Sequence, residues 1–253
     1  MTTPLLRTED LSLSFGGVHA VSGVSLQVPE GSLHVVIGPN GAGKTTFFHL
    51  LSGVYKPTRG TIRFEGRDIT DLGPAQRVRL GIARSYQRTN IFPRLTVGEN
   101  LSLAASRAEG EGWALAPRSV SRGAQALVDE VLTLLNLKGA ADQEAQTLPY
   151  GVQRLVDIGI ALCCRPKLLL LDEPTSGLST AELREAVAIL KALRERFTIL
   201  LIEHNMELVV GMADHISVLN FGTLLAEGSA QEISANRDVQ EAYFGGRSKA
   251  NLQ

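Results

Sequence analysis

An α/β fold, with a largely parallel sheet, helices on both of its faces and a helical lobe inserted into it, is the class this sequence predicts. Three observations carry it. Compact apolar runs bounded by turn residues recur along the chain, as buried strands do. Amphipathic helical patterns lie between several of them, the alternation that builds parallel sheets. From about residue 91 to 160 the strand signal stops and helical periodicity takes over.

In chain order, strands are expected at "LSLSF" (11–15), "SLHVVIG" (32–38), "GTIRFEG" (60–66), "KLLLLD" (167–172), "TILLIE" (198–203) and "HISVLN" (215–220). The stretches "LHVVI", "LLLL" and "ILLI" are apolar almost throughout, the composition of strands covered on both faces. In the middle region the clearest helix is 124–137, with Leu127, Val131, Leu134 and Leu135 on one side. The segment 106–123, "SRAEGEGWALAPRSVSRG", is rich in Gly, Ser and charge and reads as a surface loop, with Trp113 covering a hydrophobic edge. A further helix is expected over 181–196, where Leu183, Val187, Leu190 and Leu193 form a stripe against exposed Glu and Arg. No internal repeat is visible. The chain is taken as one domain, 1–253, with a helical subdomain at about 91–160.

With 253 residues, 44% of them hydrophobic, the chain can bury a sizeable core. Its formal charge of −1 offers no general positive field to a nucleic-acid backbone, so no nucleic-acid partner is expected. Cys163 and Cys164 are adjacent inside an apolar run, which fits neither metal-ligand spacing nor a C-x-x-C redox pair; both are expected in the core. The start has no basic stretch followed by an apolar one, and no apolar run approaches the roughly 18 residues of a membrane helix. The chain is therefore expected in the cytoplasm, and a membrane role would need docking onto a membrane-embedded protein.

Two segments carry chemistry. "GPNGAGKTT" (38–46) follows an apolar strand and precedes an apolar helix start, and it satisfies G-x-x-x-x-G-K-[ST] in the context that motif requires. Glycines let such a loop wrap closely, so that backbone N–H groups point at phosphate oxygens and the helix N-terminus adds partial positive charge. Lys44 can bridge β- and γ-phosphates, and the Thr45 hydroxyl can bind Mg²⁺. In "LLLLDEP" (168–174) two carboxylates follow four leucines, a costly arrangement unless the acids meet a cation or a proton to be moved. Asp172 would orient Mg²⁺ through its water shell, and Glu173 would polarise an attacking water.

With these segments in this order, the chain resembles the ATPase subunits of ABC transporters over nearly its full length. The resemblance implies a P-loop NTPase fold with a mixed sheet core, an N-terminal antiparallel β portion and the inserted helical subdomain, with ATP and Mg²⁺ as ligands. Gly38, Asn40, Gly41, Ala42, Gly43, Lys44, Thr45 and Thr46 fall on the family's phosphate loop. Phe15 matches the aromatic that stacks on adenine. Gln87 in "RSYQR" matches the glutamine that contacts Mg²⁺ or the water and reports nucleotide state to the membrane partner. His204 in "LLIEHNM" matches the switch histidine that holds the γ-phosphate.

"LPYGVQ" (148–153) stands where the family signature, usually L-S-G-G-Q, covers the nucleotide of a second ATPase subunit packed head to tail. Gly151 remains, while Pro149 replaces the serine, Tyr150 the first glycine and Val152 the glutamine. "TSGLS" (175–179) matches the D-loop, which also reaches across and usually ends in Asp; here Ser179 ends it. Elements acting within the subunit are intact and those acting across it are altered, a partition that implies an asymmetric dimer with a weakened signature. Segments 83–101, 202–228 and the C-terminal "VQEAYFGG" look most like the ATPase subunits of branched-chain or hydrophobic amino-acid importers; urea importers and the lipopolysaccharide-export ATPase share much of this. The expected partners are permease subunits in the membrane, a second ATPase subunit, the same or related, and indirectly a solute-binding protein. The chain would then sit peripherally on the inner face of the cell membrane. A non-transport ABC ATPase and a P-loop kinase or GTPase are the rival readings.

Overall fold

Ten strands form among the described residues: β1 (Leu6–Phe15), β2 (Val18–Val28), β3 (Leu33–Ile37), β4 (Arg59–Phe64), β5 (Arg67–Asp68), β6 (Ile82–Arg84), β7 (Leu168–Asp172), β8 (Thr198–Ile202), β9 (His215–Asn220) and β10 (Thr223–Gly228). The α-helices are α1 (Lys44–Leu51), α2 (Pro74–Leu80), α3 (Val97–Ala108), α4 (Arg122–Leu134), α5 (Tyr150–Leu162), α6 (Thr180–Arg194), α7 (Met206–Met212), α8 (Ala230–Ala235) and α9 (Arg237–Ser248). The structure, a computed structural model, describes residues 4–86, 89–108 and 121–248. The chain divides into two compact units, one of Met1–Arg77 with Thr198–Gln253 and one of Val78–Phe197.

In the first unit, Gly16 and Gly17 make a two-residue turn that pairs Phe15 with Val18. The hairpin belongs to an antiparallel sheet in the order β2-β1-β4-β5, the expected N-terminal β portion. β1 begins five residues earlier than its apolar run implied, and β2 was not expected at all. Its inward residues Val21, Val24, Leu26 and Val28 are buried, but register shifts along the hairpin break the period of two that marks a strand. The Gly-Gly pair was the signal available in the sequence. β3 lies between β8 and β9 and runs parallel to both, while β10 runs antiparallel to β9. Every residue of β3 and β8 is buried, as their near-continuous apolar composition requires.

In the second unit β6 runs parallel to β7, and α3, α4 and α5 pack on one another. The buried face of α4 is Ala124, Val128, Val131 and Leu132; Leu127 and Leu134, expected on the inner stripe, are half-buried. Packing against both α3 and α5 turns the inner face by about one residue. On α6, Ala186, Leu190 and Leu193 are buried, and Leu183 and Val187 are half-buried. Both ends of the loop expected at 106–123 are helical, because α3 continues to Ala108 and α4 starts at Arg122; residues 109–120, Trp113 included, lie outside the described residues. Cys163 is fully buried and Cys164 half-buried, and burial pushes the Cys163 thiol up to about 12, the behaviour of inert core residues. Among the described residues no helix is long and apolar enough to cross a membrane.

Candidate functional site

The carboxyl end of β3, a strand flanked on both sides by parallel neighbours, is where open α/β sheets receive ligands. The segment 38–43 leaves there, and α1 begins at Lys44. Gly43 caps α1 at φ 94°, and a Cβ on it would stand 2.4 Å from the Ala20 carbonyl oxygen, so no other residue fits. The N-terminus of α1 has no side-chain cap and no acidic residue in its first turn. Its amides therefore carry partial positive charge without a built-in counter-anion. The Lys44 ammonium is almost wholly buried and donates to the carbonyls of Gly38 at 2.7 Å and Pro39 at 3.1 Å, which holds it over the loop. Asn40, Gly41 and Thr45 are exposed at the loop surface, Thr46 is half-buried and Ala42 is buried.

His204 comes to the same edge of this sheet. Val36 of β3 pairs with Ile202 of β8, and the Glu203 N–H donates to the Val36 carbonyl at 3.4 Å. The Glu203 side chain is fully buried; its carboxylate accepts the His204 N–H at 3.0 Å and lies 3.9 Å from the half-exposed ring's Nδ1. Glu203, which the motif reading passed over, thus holds the backbone of the histidine; a carboxylate closing the run "TILLI" was its sequence signal. Phe15 stands half-exposed at the hairpin end, edge-on to Tyr55 at 5.3 Å, and Tyr55 is edge-on to His49 at 5.0 Å. Tyr243 on α9 has its hydroxyl buried beside the Gly38 backbone without a well-formed hydrogen bond, and burial pushes that hydroxyl up to about 12.

The second unit holds the paired carboxylates. Asp172 closes β7, is 1% exposed, and accepts from the buried guanidinium of Arg84 on β6 at 2.8 Å. Glu173 follows in the left-handed region at φ 47°, a strained conformation for a residue with a Cβ. Arg154 of α5 bears on that turn: one nitrogen donates to the Glu173 carbonyl at 2.6 Å and another to the Tyr86 carbonyl at 2.7 Å. One turn along α5, Asp157 accepts the N–H of Tyr86 at 3.0 Å and of Asn90 at 3.1 Å. Burial pushes its carboxyl above the usual range, against the pull of those two amides and of Arg154. Gln87 itself lies outside the described residues, but α5 holds the chain on both sides of it. Pro149 is the N-cap of α5 and makes no side-chain cap bond; Gly151 is buried in the first turn, next to Glu182 of α6.

No group of three or more His, Cys, Asp or Glu able to hold a metal by itself occurs among the described residues. The Thr45 hydroxyl and the Asp172 carboxylate are hard oxygen donors. Each is of the type that Mg²⁺ takes, one or two at a time, when phosphates and water complete its shell.

Comparison with known proteins agrees with this chemistry. The model of a family described as ABC transporter matches residues 21–176, and one described as branched-chain amino acid ATP-binding cassette transporter matches 223–248. The high-affinity branched-chain amino acid transport ATP-binding protein BraF of Pseudomonas aeruginosa is 40% identical, over 97% of this chain and 99% of its own. LivG of Escherichia coli, of the same description, is 40% identical over the same shares. A solved ATP-binding cassette of an ABC transporter superposes with a TM-score of 0.86 at 31% identity, covering 96% of this chain and 99% of its own. The ADP conformation of such a cassette gives 0.83 at 30% identity, covering 96% and 100%.

Proposed function

Because the chain belongs to the ABC transporter family of ATP-binding cassettes, we propose that it is the ATP-hydrolysing motor subunit of an importer for branched-chain or other hydrophobic amino acids. One observation carries the reading. A phosphate loop with an uncapped, acid-free helix start stands at the end of β3, in a chain whose C-terminal segment matches a branched-chain amino acid cassette model.

In this reading the amides of 41–46 and Lys44 bind the β- and γ-phosphates, and Phe15 stacks on the adenine. Thr45, Asp172 and Gln87 serve the magnesium ion, which when bound neutralises charge on the phosphoryl oxygens. Glu173 polarises the attacking water, with its backbone turn held by Arg154, and His204, its backbone held by Glu203, contacts the γ-phosphate. Phosphoryl transfer asks mostly for positioning and charge stabilisation, which these contacts supply. Gly151 covers the nucleotide of a second ATPase subunit, and residues about 91–160 are the helical subdomain that carries it. Permease subunits in the membrane, fed by a solute-binding protein, are the partners, and the chain works at the inner face of the membrane.

The test is isolation of the tagged chain from its own cells in detergent. Membrane subunits and a second ATPase subunit should come with it, and the reconstituted complex should hydrolyse ATP faster with a leucine-loaded binding protein than with an empty one. A chain that returns alone, or a complex indifferent to branched-chain amino acids, contradicts the proposal.

A further inference from the structure

One carboxylate joins the two segments, 148–153 and 175–179, that the proposed function sends to a second subunit's nucleotide. Glu182, in the first turn of α6, accepts at Oε2 from the Ser179 N–H at 2.9 Å and the Ser179 hydroxyl at 2.6 Å. The Gly151 backbone amide lies beside the same carboxylate and favours its charged form. Glu182 Oε1 is so near that a Cβ on Gly151 would stand 2.7 Å from it and push the carboxylate aside. The contact continues on either side: that Cβ would be 3.3 Å from Leu178 Cδ2, and a Cβ on Gly177 would be 3.5 Å from the Tyr150 ring. The Ser179 hydroxyl, then the Ser179 and Gly151 amides, hold the carboxyl below the usual range, as convergent donors must.

We propose that Glu182 is a positioning residue that braces these two segments into one body, so that both meet the second subunit's nucleotide together. The inference rests on the reading of those segments as acting across a subunit interface, and it accounts for both departures from the family pattern. Pro149 offers α5 no hydroxyl to cap it, so the negative group beside this helix start comes from α6 instead. Ser179 gives its hydroxyl to the same carboxylate; an aspartate there would set a like charge against Glu182.

Glu182→Gln separates the brace from the fold. A glutamine in this capping box still accepts from the Ser179 N–H, but its neutral amide NH₂ then stands where a carboxylate oxygen packs against the Gly151 backbone. In the complex with its membrane and ATPase partners, Glu182→Gln should keep the wild-type unfolding midpoint and lose turnover by about tenfold or more. Glu232→Gln makes the same change in the matching Ser229–Glu232 box of α8, and it should turn over as wild type. Wild-type turnover by Glu182→Gln, or an equal loss in both variants, overturns the brace. Tyr150→Asp tests the underlying reading separately, because it places negative charge at a half-exposed helix start that should face phosphates. If turnover survives Tyr150→Asp, the segment does not act in trans and the premise fails; if only Glu182→Gln is silent, the premise stands and the brace falls.

Discussion

Arg84 and Arg154 bring two guanidinium groups to the place where the chain's paired carboxylates leave β7. Glu173 in the left-handed region stores strain of about 1–3 kcal/mol, and the Arg154 bond to its carbonyl helps fix that turn. Arg84 does the corresponding work for charge, since a buried carboxylate that loses its partner keeps the cost of desolvation. Arg84→Met should therefore lower stability by about 3–5 kcal/mol, read as a shift in urea midpoint. Asp172→Asn in that background should recover part of the loss, and strictly additive effects would argue that the pair is not coupled. Lys44, Thr45, Asp172, Glu173 and His204 could be proposed from the sequence because each sits in a short local pattern. Arg84, Arg154, Asp157 and Glu203 were not, because their roles are contacts: Arg84 meets an acid 88 positions away, and Asp157 holds two amides from across its unit.

At the level of elements, β3 positions the phosphate loop and also carries a titratable group inside its apolar run. His34 is fully buried, with Nε2 2.8 Å from the Ser217 hydroxyl of β9. Burial, then the nearby His215, lowers its pKa from 6.5 to about 3. The folded chain thus keeps His34 neutral while the unfolded chain takes up a proton, so this contribution is full above pH 6.5 and is lost as pH falls towards 3. Between pH 7 and pH 5 the loss amounts to about 2 kcal/mol. His34→Gln should remove that part of the acid sensitivity, measured as unfolding free energy against pH; parallel curves for the variant and wild type would contradict it. The buried parallel strands were readable because they are apolar on both faces, and α4 and α6 because of their stripes. β2 was not, since register shifts erase its alternation, and the exact inner face of α4 depends on two neighbours that no local pattern names.

Across the whole molecule, the order of phosphate loop, signature-like segment, paired carboxylates and histidine was enough to name the family, and the match extends over 97% of the chain to curated relatives. The tie between 148–153 and 175–179 could not be read that way, because it needs the α5 and α6 starts side by side. The central claim is that ATP held by the loop after β3 is hydrolysed with Glu173 as the group that activates water. Retention of nucleotide by the assembled complex tests it most directly. After incubation with Mg·ATP and gel filtration, Glu173→Gln should carry unhydrolysed ATP and Lys44→Ala should carry none. Hydrolysis by Glu173→Gln at the wild-type rate, or equal retention once Lys44 is removed, would contradict the account.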